Sequence, residues 1–572
     1  MTESVYGPSW YAATRMAAPE RDRLVYDLDV DVCVIGGGLA GLTTARELAR
    51  RGWSVAVLEA NRVGWDASGR NAGIVAPGFS ESLERIIERV GFERTRALWI
   101  LSAGGVDYVR STIRETAMPG VGPVDGWLTV QRTDNPDRLL GQAELIGDKL
   151  GTEVEAWPTE RVREALRSKC YFQGLHLPGG FHIHPLNYAL GLAAAAEEAG
   201  VRIFENTRAL DIDPAGVRKR VTTPSARVRA AHVVLAGSAH LSPLFPPVAD
   251  SVLPVTSHIG VTAPLEGLHE AIAYAGAVVD TRRAGDYYRI VDGNRLLWGT
   301  RLSARRAAPR RLTSIIRRDI AKVFPQLGEV EITHAWSGTM GYAVHKMPQI
   351  GEVSRGLWVA SAFGGRGLNT SAMAGELIGR AIAEGDDRWR QFASYDLVYA
   401  GGALGRVTAQ ALFWFMRASD TLDEEISRRR ILARRRHEAF AARAAEEARH
   451  RVAARAQRLS AAEDERRAAA LAQAAQEDAE RRAAEDAARL AVEMAATEQA
   501  AQLAAEEAAQ RIADETARLA AEAERQEAER LEAARRAAAQ QEAEATRRMP
   551  EPDDAEAAPR ARRKRRAGGK SA

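Results

Sequence analysis

Apolar residues fall in short unbroken runs through the N-terminal two-thirds of the chain, with polar, glycine-rich turns between them. The first clear run, Val32–Ile35, is short and rich in β-branched residues, as in a strand buried on both faces. Gly36, Gly38 and Gly41 follow it as GxGxxG, and Leu39–Arg50 then takes on helical spacing until Gly52 stops it. A second run, Trp53–Leu58, predicts another strand, closed by Glu59. In such a unit the first glycine permits a tight turn and the second lets backbone approach a pyrophosphate. The third lets helix and strand pack closely. The helix would aim its N-terminal N–H groups and positive dipole end at phosphates. Glu59, about 20 residues on, would accept hydrogen bonds from ribose hydroxyls. These features together predict a dinucleotide site. An acidic end to the second strand argues against a 2′-phosphate and leaves NAD and FAD open.

The pattern changes near residue 405. From Arg406 to Met549 there is no glycine or proline, and after Phe440 no aromatic residue. Ala, Glu, Arg, Gln and Leu dominate, a strong helix-forming mixture with many i,i+3 and i,i+4 charge pairs. Leu471, Leu490, Leu503, Ile512, Leu519 and Leu531 do not hold a seven-residue register, although Ile512 and Leu519 are one heptad apart. A long charged helix or an Ala-seamed weak oligomer is therefore expected, with disorder and transient helix as the alternative. Ala411–Met416 (ALFWFM) is expected to cap the globular part as its last packed helix. The expected organisation is residues 1–430 globular, 431–549 an Ala/Glu/Arg-rich helical or coiled-coil-like tail, and 550–572 a disordered basic terminus. That terminus, RARRKRRAGGK, is a weak candidate for anionic partners, and the tail is a candidate for self-association or protein binding.

Composition narrows the class. A formal charge of +3 over 572 residues implies no global attraction to nucleic acid. Cys33 and Cys170 cannot make a disulfide framework, and Cys33 lies within the first strand as a small core residue. With no signal-peptide pattern and no apolar run long enough for a membrane span, the expectation is a cytoplasmic protein. No metal site is expected.

After Glu59 the chain reads VGWDASGRNAGIV, where Ala67, Ser68 and Gly69 leave room for a bulky cofactor and Arg70 and Asn71 follow. Here the sequence resembles the FAD-dependent oxidoreductases of the D-amino-acid oxidase superfamily, in particular the γ-glutamylputrescine oxidase and glycine/sarcosine oxidase branch. Further segments carry the likeness in order: Ser9–Thr14, Gly179–Leu210, Val233–His240, Gly285–Arg301, Ala335–Gly351 and Leu357–Ile382. It spans roughly residues 5 to 425 and omits the tail. It implies an α/β fold: a Rossmann-like FAD-binding domain interleaved with an α+β substrate domain on a mixed sheet, then the long helical or partly disordered extension.

The resemblance also implies non-covalent FAD held by Gly36, Gly38, Gly41, Glu59, Ser68, Gly69, Arg70, Asn71, Ala236 and Gly237. Gly364, Gly365, Gly367, Leu368 and Asn369 complete the set, the last three opening a helix whose positive end would face the flavin. The implied reaction oxidises the C–N bond of an amine or amino-acid-like substrate by hydride transfer to the flavin. The imine is then hydrolysed, and oxygen takes the electrons as hydrogen peroxide. A dehydrogenase with a quinone or protein acceptor is the enzymatic alternative. A tail-driven scaffold with a secondary flavin domain is the other.

Candidate substrate-site residues are Tyr288, Arg289, Trp336 and Arg366, with Tyr287 and Tyr342 beside them. Alternation puts Tyr287 and Arg289 on one strand face and Tyr288 on the other. Arg289 is a candidate carboxylate anchor or an ion-pair partner; Trp336 and Tyr342 are a candidate aromatic wall or core; His258 is expected to be packed. Sarcosine-oxidase-type relatives carry a basic residue where this chain has Asn369, and His where it has Arg366. That weakens a small α-amino acid as substrate and favours a larger amine such as a γ-glutamylated polyamine.

Overall fold

The computed structural model describes residues 6–241, 244–283, 285–304, 309–458, 468–492 and 494. The chain divides into two units, Met1–Leu432 and Ala433–Ala572.

The first unit is built on two sheets whose strands alternate along the sequence. One has the order Gln349–Ser354, Leu357–Ser361, Arg227–Leu235, Leu28–Ile35, Val55–Leu58, Arg202–Phe204. All neighbours in it are parallel except the first pair. Leu28–Ile35 ends in four consecutive buried residues because apolar side chains cover both of its faces. Register sets Ile35 beside both Leu58 and Leu235, and Leu235 beside Val359. The carboxyl ends of four strands therefore finish side by side, the edge where open parallel sheets bind ligands. The helices Leu39–Ala49 and Gly367–Glu384 pack together through small residues; a Cβ on Gly379 would lie 2.8 Å from Glu47 Cβ.

The second sheet is mostly antiparallel: Ile332–Tyr342, Leu253–Thr262, Arg295–Ser303, Tyr287–Val291, Ala277–Asp280, Val124–Val130, Gly174–His182, Ile74–Val75. Its far face carries a separate core around Tyr288, Trp298 and Phe324 under the helix Pro309–Val323. The two sheets meet where Tyr342 bridges to Phe363. This is the mixed α/β architecture expected.

A helix begins at Gly402 and runs to Arg458. Within the first unit it is tied by Glu424, which binds Arg132 at 3.2 Å and Arg282 at 2.6 Å. Asp420 also pairs with Arg283 at 2.8 Å. Ala411–Met416 lies on this last packed helix as expected, but its apolar residues do not form the contact: only Phe413 is buried, while Leu412, Trp414 and Phe415 are exposed. In the second unit residues 433–458 and 468–492 are helical. The rest of the tail, including the basic 550–572 terminus, lies outside the described residues. Among the described residues no helix is long and apolar enough to cross a membrane.

Candidate active site

Gly36 ends the first strand at φ +116°, and a Cβ there would come within 2.7 Å of the Ala236 carbonyl oxygen and 3.0 Å of the Gly237 nitrogen. The first glycine turn is thus pressed against the turn leaving the neighbouring strand, so Gly36, Ala236 and Gly237 form one backbone floor. Gly38 precedes the helix Leu39–Ala49, and a Cβ on it would meet Ser68 Oγ at 2.9 Å. Ser68 Oγ accepts the Leu39 N–H at 3.1 Å, which fixes the Ser68 turn over the helix N-terminus. Glu59 accepts the Gly37 N–H at 2.7 Å and the Asn61 N–H at 2.8 Å, holding its carboxylate beside the glycine turn. Burial pushes its pKa above the ordinary carboxylate value, and those two N–H bonds oppose the rise.

Two other expected contacts are mainly structural. The Arg70 side chain donates to the Tyr6 carbonyl at 2.9 Å and lies over the Trp65 ring. Asn71 donates to the Ala67 and Ser68 carbonyls and accepts the Gly73 N–H, so its amide closes the turn on itself. At the far strand, Ala362 takes φ +56° and Gly364 φ +59°. A Cβ on Gly364 would meet Ser80 Cβ and Tyr342 Cε1, each at 2.9 Å. The Gly365 N–H donates to Ser80 Oγ at 2.8 Å, and Gly367 opens the helix in which Leu368 and Asn369 are buried. Asn369 Nδ2 donates to Ser102 Oγ at 2.9 Å, so its amide ties two helices together.

The structure separates the four candidate substrate-site residues. Tyr288 is 1% exposed and stacks on Trp298 at 4.7 Å, on the far face of the second sheet. It is a core residue there, since strand alternation turns it away from the site. Arg289 donates to Ala72 O, His182 Nδ1, Tyr11 Oη and Ile183 O, all within 3.1 Å. With four N–H groups committed to neutral acceptors, it props the 71–73 turn from beneath. Trp336 is 5% exposed and its indole N–H donates to the Arg70 carbonyl at 3.0 Å, again supporting the cofactor turn from behind.

Arg366 differs from the other three. Its guanidinium lies over the Trp127 ring at 4.2 Å, with no ion pair or side-chain hydrogen bond among the described residues. Burial lowers its pKa to about 10, so it stays charged at neutral pH, and the Tyr342 hydroxyl beside it opposes the fall. Tyr287 Oη pairs with Ser257 Oγ at 2.7 Å, and His258 Nδ1 with Ser337 Oγ at 2.9 Å, so His258 is packed and partnered.

Sequence reasoning missed Asp66. It accepts the Thr339 N–H at 3.0 Å and the His240 Nε2 proton at 2.8 Å, linking the Ser68 turn to both sheets. No motif marks it, because its partners lie far away in the chain.

These features define a class: a two-sheet α/β protein with glycine turns gathered at the carboxyl edge of a parallel sheet, as in dinucleotide-binding folds. The family is then specific. A model of the FAD dependent oxidoreductase (DAO) family matches residues 31–381, and the chain belongs to that family. It is 32% identical over 381 residues to a probable oxidoreductase, OrdL, of Haemophilus influenzae, covering 65% of this chain and 87% of that one. It is 30% identical over 420 residues to gamma-glutamylputrescine oxidoreductase of Escherichia coli, covering 72% and 97%. Glycine oxidase from Geobacillus kaustophilus shares the fold at TM-score 0.55 and 22% identity, over 65% of this chain and 99% of that one. L-proline dehydrogenase from P. horikoshii does so at TM-score 0.55 and 19% identity, over 65% and 98%.

The chain is thus an FAD-dependent oxidoreductase of the amine and amino-acid oxidase type, and the glycines fit the cofactor. A Cβ at 36, 38 or 364 would collide with Ala236 O, Ser68 Oγ or Ser80 and Tyr342, so only glycine keeps these turns as bare backbone of the kind a pyrophosphate approaches. Gly36, Gly38 and the first turn of Leu39–Ala49 would hold the pyrophosphate, with Glu59 at the adenosine ribose.

Proposed function

We propose that the protein oxidises a C–N bond in an amine that also carries a carboxylate, with γ-glutamylated amines as the favoured class, and that Arg366 binds that carboxylate. The observation that carries this reading is the Arg366 guanidinium. It is seated on Trp127, beside the glycine loop, without a carboxylate among the described residues. A cation on an aromatic face keeps its N–H edge available for a bidentate carboxylate. The similarity to gamma-glutamylputrescine oxidoreductase supports the substrate class.

When bound, FAD supplies the two-electron acceptor. The residues of the chain place the amine. Arg366 sets the end bearing the carboxylate, Tyr342 lies beside it, and burial keeps the Tyr342 hydroxyl protonated and neutral. The uncharged amine is the form able to lose two electrons. The C–N bond becomes C=N, water adds to give a carbonyl compound and a free amine or ammonia, and oxygen takes up the electrons as peroxide.

The test is turnover of the flavin-loaded protein on paired amines with and without a carboxylate. Arg366→Gln should raise KM for the carboxylated partner roughly 10- to 100-fold, the loss of one charged contact of about 1.5–3 kcal/mol, and leave the other partner unchanged. Equal effects on both would remove Arg366 from substrate binding. One peroxide per amine consumed under air supports an oxidase, and dye reduction without peroxide makes the enzyme a dehydrogenase.

A further inference from the structure

The helix beginning at Gly402 packs on the oxidoreductase unit with its polar side inward. Gln410 accepts the Ala304 N–H at 3.0 Å, Arg417 donates to the Leu302 carbonyl at 2.6 Å, and Phe413 is buried between them. Asp420 and Glu424 complete the inner stripe through Arg283, Arg282 and Arg132. The spacing 410, 413, 417, 420, 424 is one helix face. The opposite face is Leu404, Val407, Ala411, Trp414, Phe415, Ala418 and Leu422. Every one of these is exposed, Leu404 by 78% and Trp414 by 63%.

An amphipathic helix on a globular unit ordinarily buries its apolar stripe. This one shows it to solvent, which requires another occupant. The large exposed side chains offer on the order of 650 Å², given about 150–250 Å² for a whole aromatic residue. That is at the upper end of the largest apolar patch found on monomers and approaches the roughly 800 Å² that each partner buries in a stable complex.

Charge decides against a lipid surface. A helix lying in a membrane interface carries Lys or Arg beside its apolar face. Here the seven residues of the stripe carry no charge; one exposed cation, Arg406, borders its start, and two acids, Asp423 and Glu425, border its end. Arg428 and Arg429 beyond it already pair with Glu424 and Glu425. The side-chain sizes favour a copy of the same helix. Ala411 and Ala418, one heptad apart, leave shallow notches between the ridges of Leu404, Val407, Trp414, Phe415 and Leu422, so ridge and notch are self-complementary.

We propose that the Leu404–Leu422 face is the contact surface of a homodimer, two copies packing helix on helix through this stripe. The test is sedimentation of the full-length, flavin-loaded protein over a dilution series. The wild type should be a dimer. Trp414→Glu with Phe415→Glu should weaken it about 100-fold or more while flavin content and turnover stay unchanged, since both side chains are exposed. Ala418→Trp, which adds apolar area but fills a notch, should weaken the dimer about tenfold. A monomeric wild type overturns the proposal, as does a dimer equally tight in these variants. Binding of the wild type to vesicles of anionic phospholipid that the double variant loses would make the face a membrane contact, and would overturn it too.

Discussion

Arg289 Nη1 lies 2.8 Å from His182 Nδ1, a buried cation donating to a neutral imidazole. His182 Nε2 is 3.1 Å from the Ala275 carbonyl, which can only accept, so the proton sits on Nε2 and the Nδ1 lone pair faces the arginine. Arg289→Met would leave Ala72 O, Ile183 O and the Tyr11 hydroxyl without this donor at the base of the cofactor turn. A loss of about 1–3 kcal/mol in unfolding free energy is expected, with KM for carboxylated and uncarboxylated amines changing alike. A rise for the carboxylated amine alone would restore Arg289 as the anchor.

The same pair predicts a pH dependence. Burial, then the Arg289 charge, lowers His182 to about 3 and His184 to about 4. Both folded values lie below the unfolded 6.5, so the stability they contribute is present above pH 6.5 and is lost as pH falls toward 4. Tm measured from pH 7 to pH 4 should fall less steeply in His182→Gln than in the wild type. Parallel curves would show that His182 takes no part.

Two glycines of one motif should fail differently. Gly36→Ala forces an L side chain to φ +116° against the Ala236 carbonyl, so the expected outcome is misfolded protein. Gly38→Ala meets only the Ser68 hydroxyl, which can turn away at the cost of its bond to the Leu39 N–H. Folded, colourless protein is expected, read from the far-ultraviolet spectrum beside flavin absorbance.

Glu59→Ala removes the acceptor for the Gly37 and Asn61 N–H groups. Flavin affinity should fall about tenfold or more through loss of a charged acceptor worth about 1.5–3 kcal/mol. Titration of the stripped protein with FAD measures it, and unchanged affinity would place the ribose elsewhere.

Glu424 closes the cluster that ties the long helix to the second sheet, and Arg132 beneath it is largely buried. Glu424→Ala leaves two arginines without that partner, and about 3 kcal/mol of stability should go with it. Denaturant unfolding reads the loss directly. An unchanged midpoint would mean that the helix is held by its other contacts.

The sequence by itself determined the cofactor half. Strand, glycine turn, helix and acidic residue between Val32 and Glu59 are local, so hydrophobic spacing and backbone permissiveness were enough to read them. Family likeness then placed Ala236 and Gly364 at the same edge, and parallel register puts them there. Tertiary structure alone decided where the candidate substrate-site side chains lie, because a side chain's contacts depend on what faces it from distant segments. Arg289 and Trp336 prove to be props, Tyr288 a core residue, and Arg366 the cation over Trp127. The same reason hid Asp66 and the reversed helix at Leu404–Leu422. An amphipathic pattern shows that two faces differ, and only the packed chain shows which one it buries.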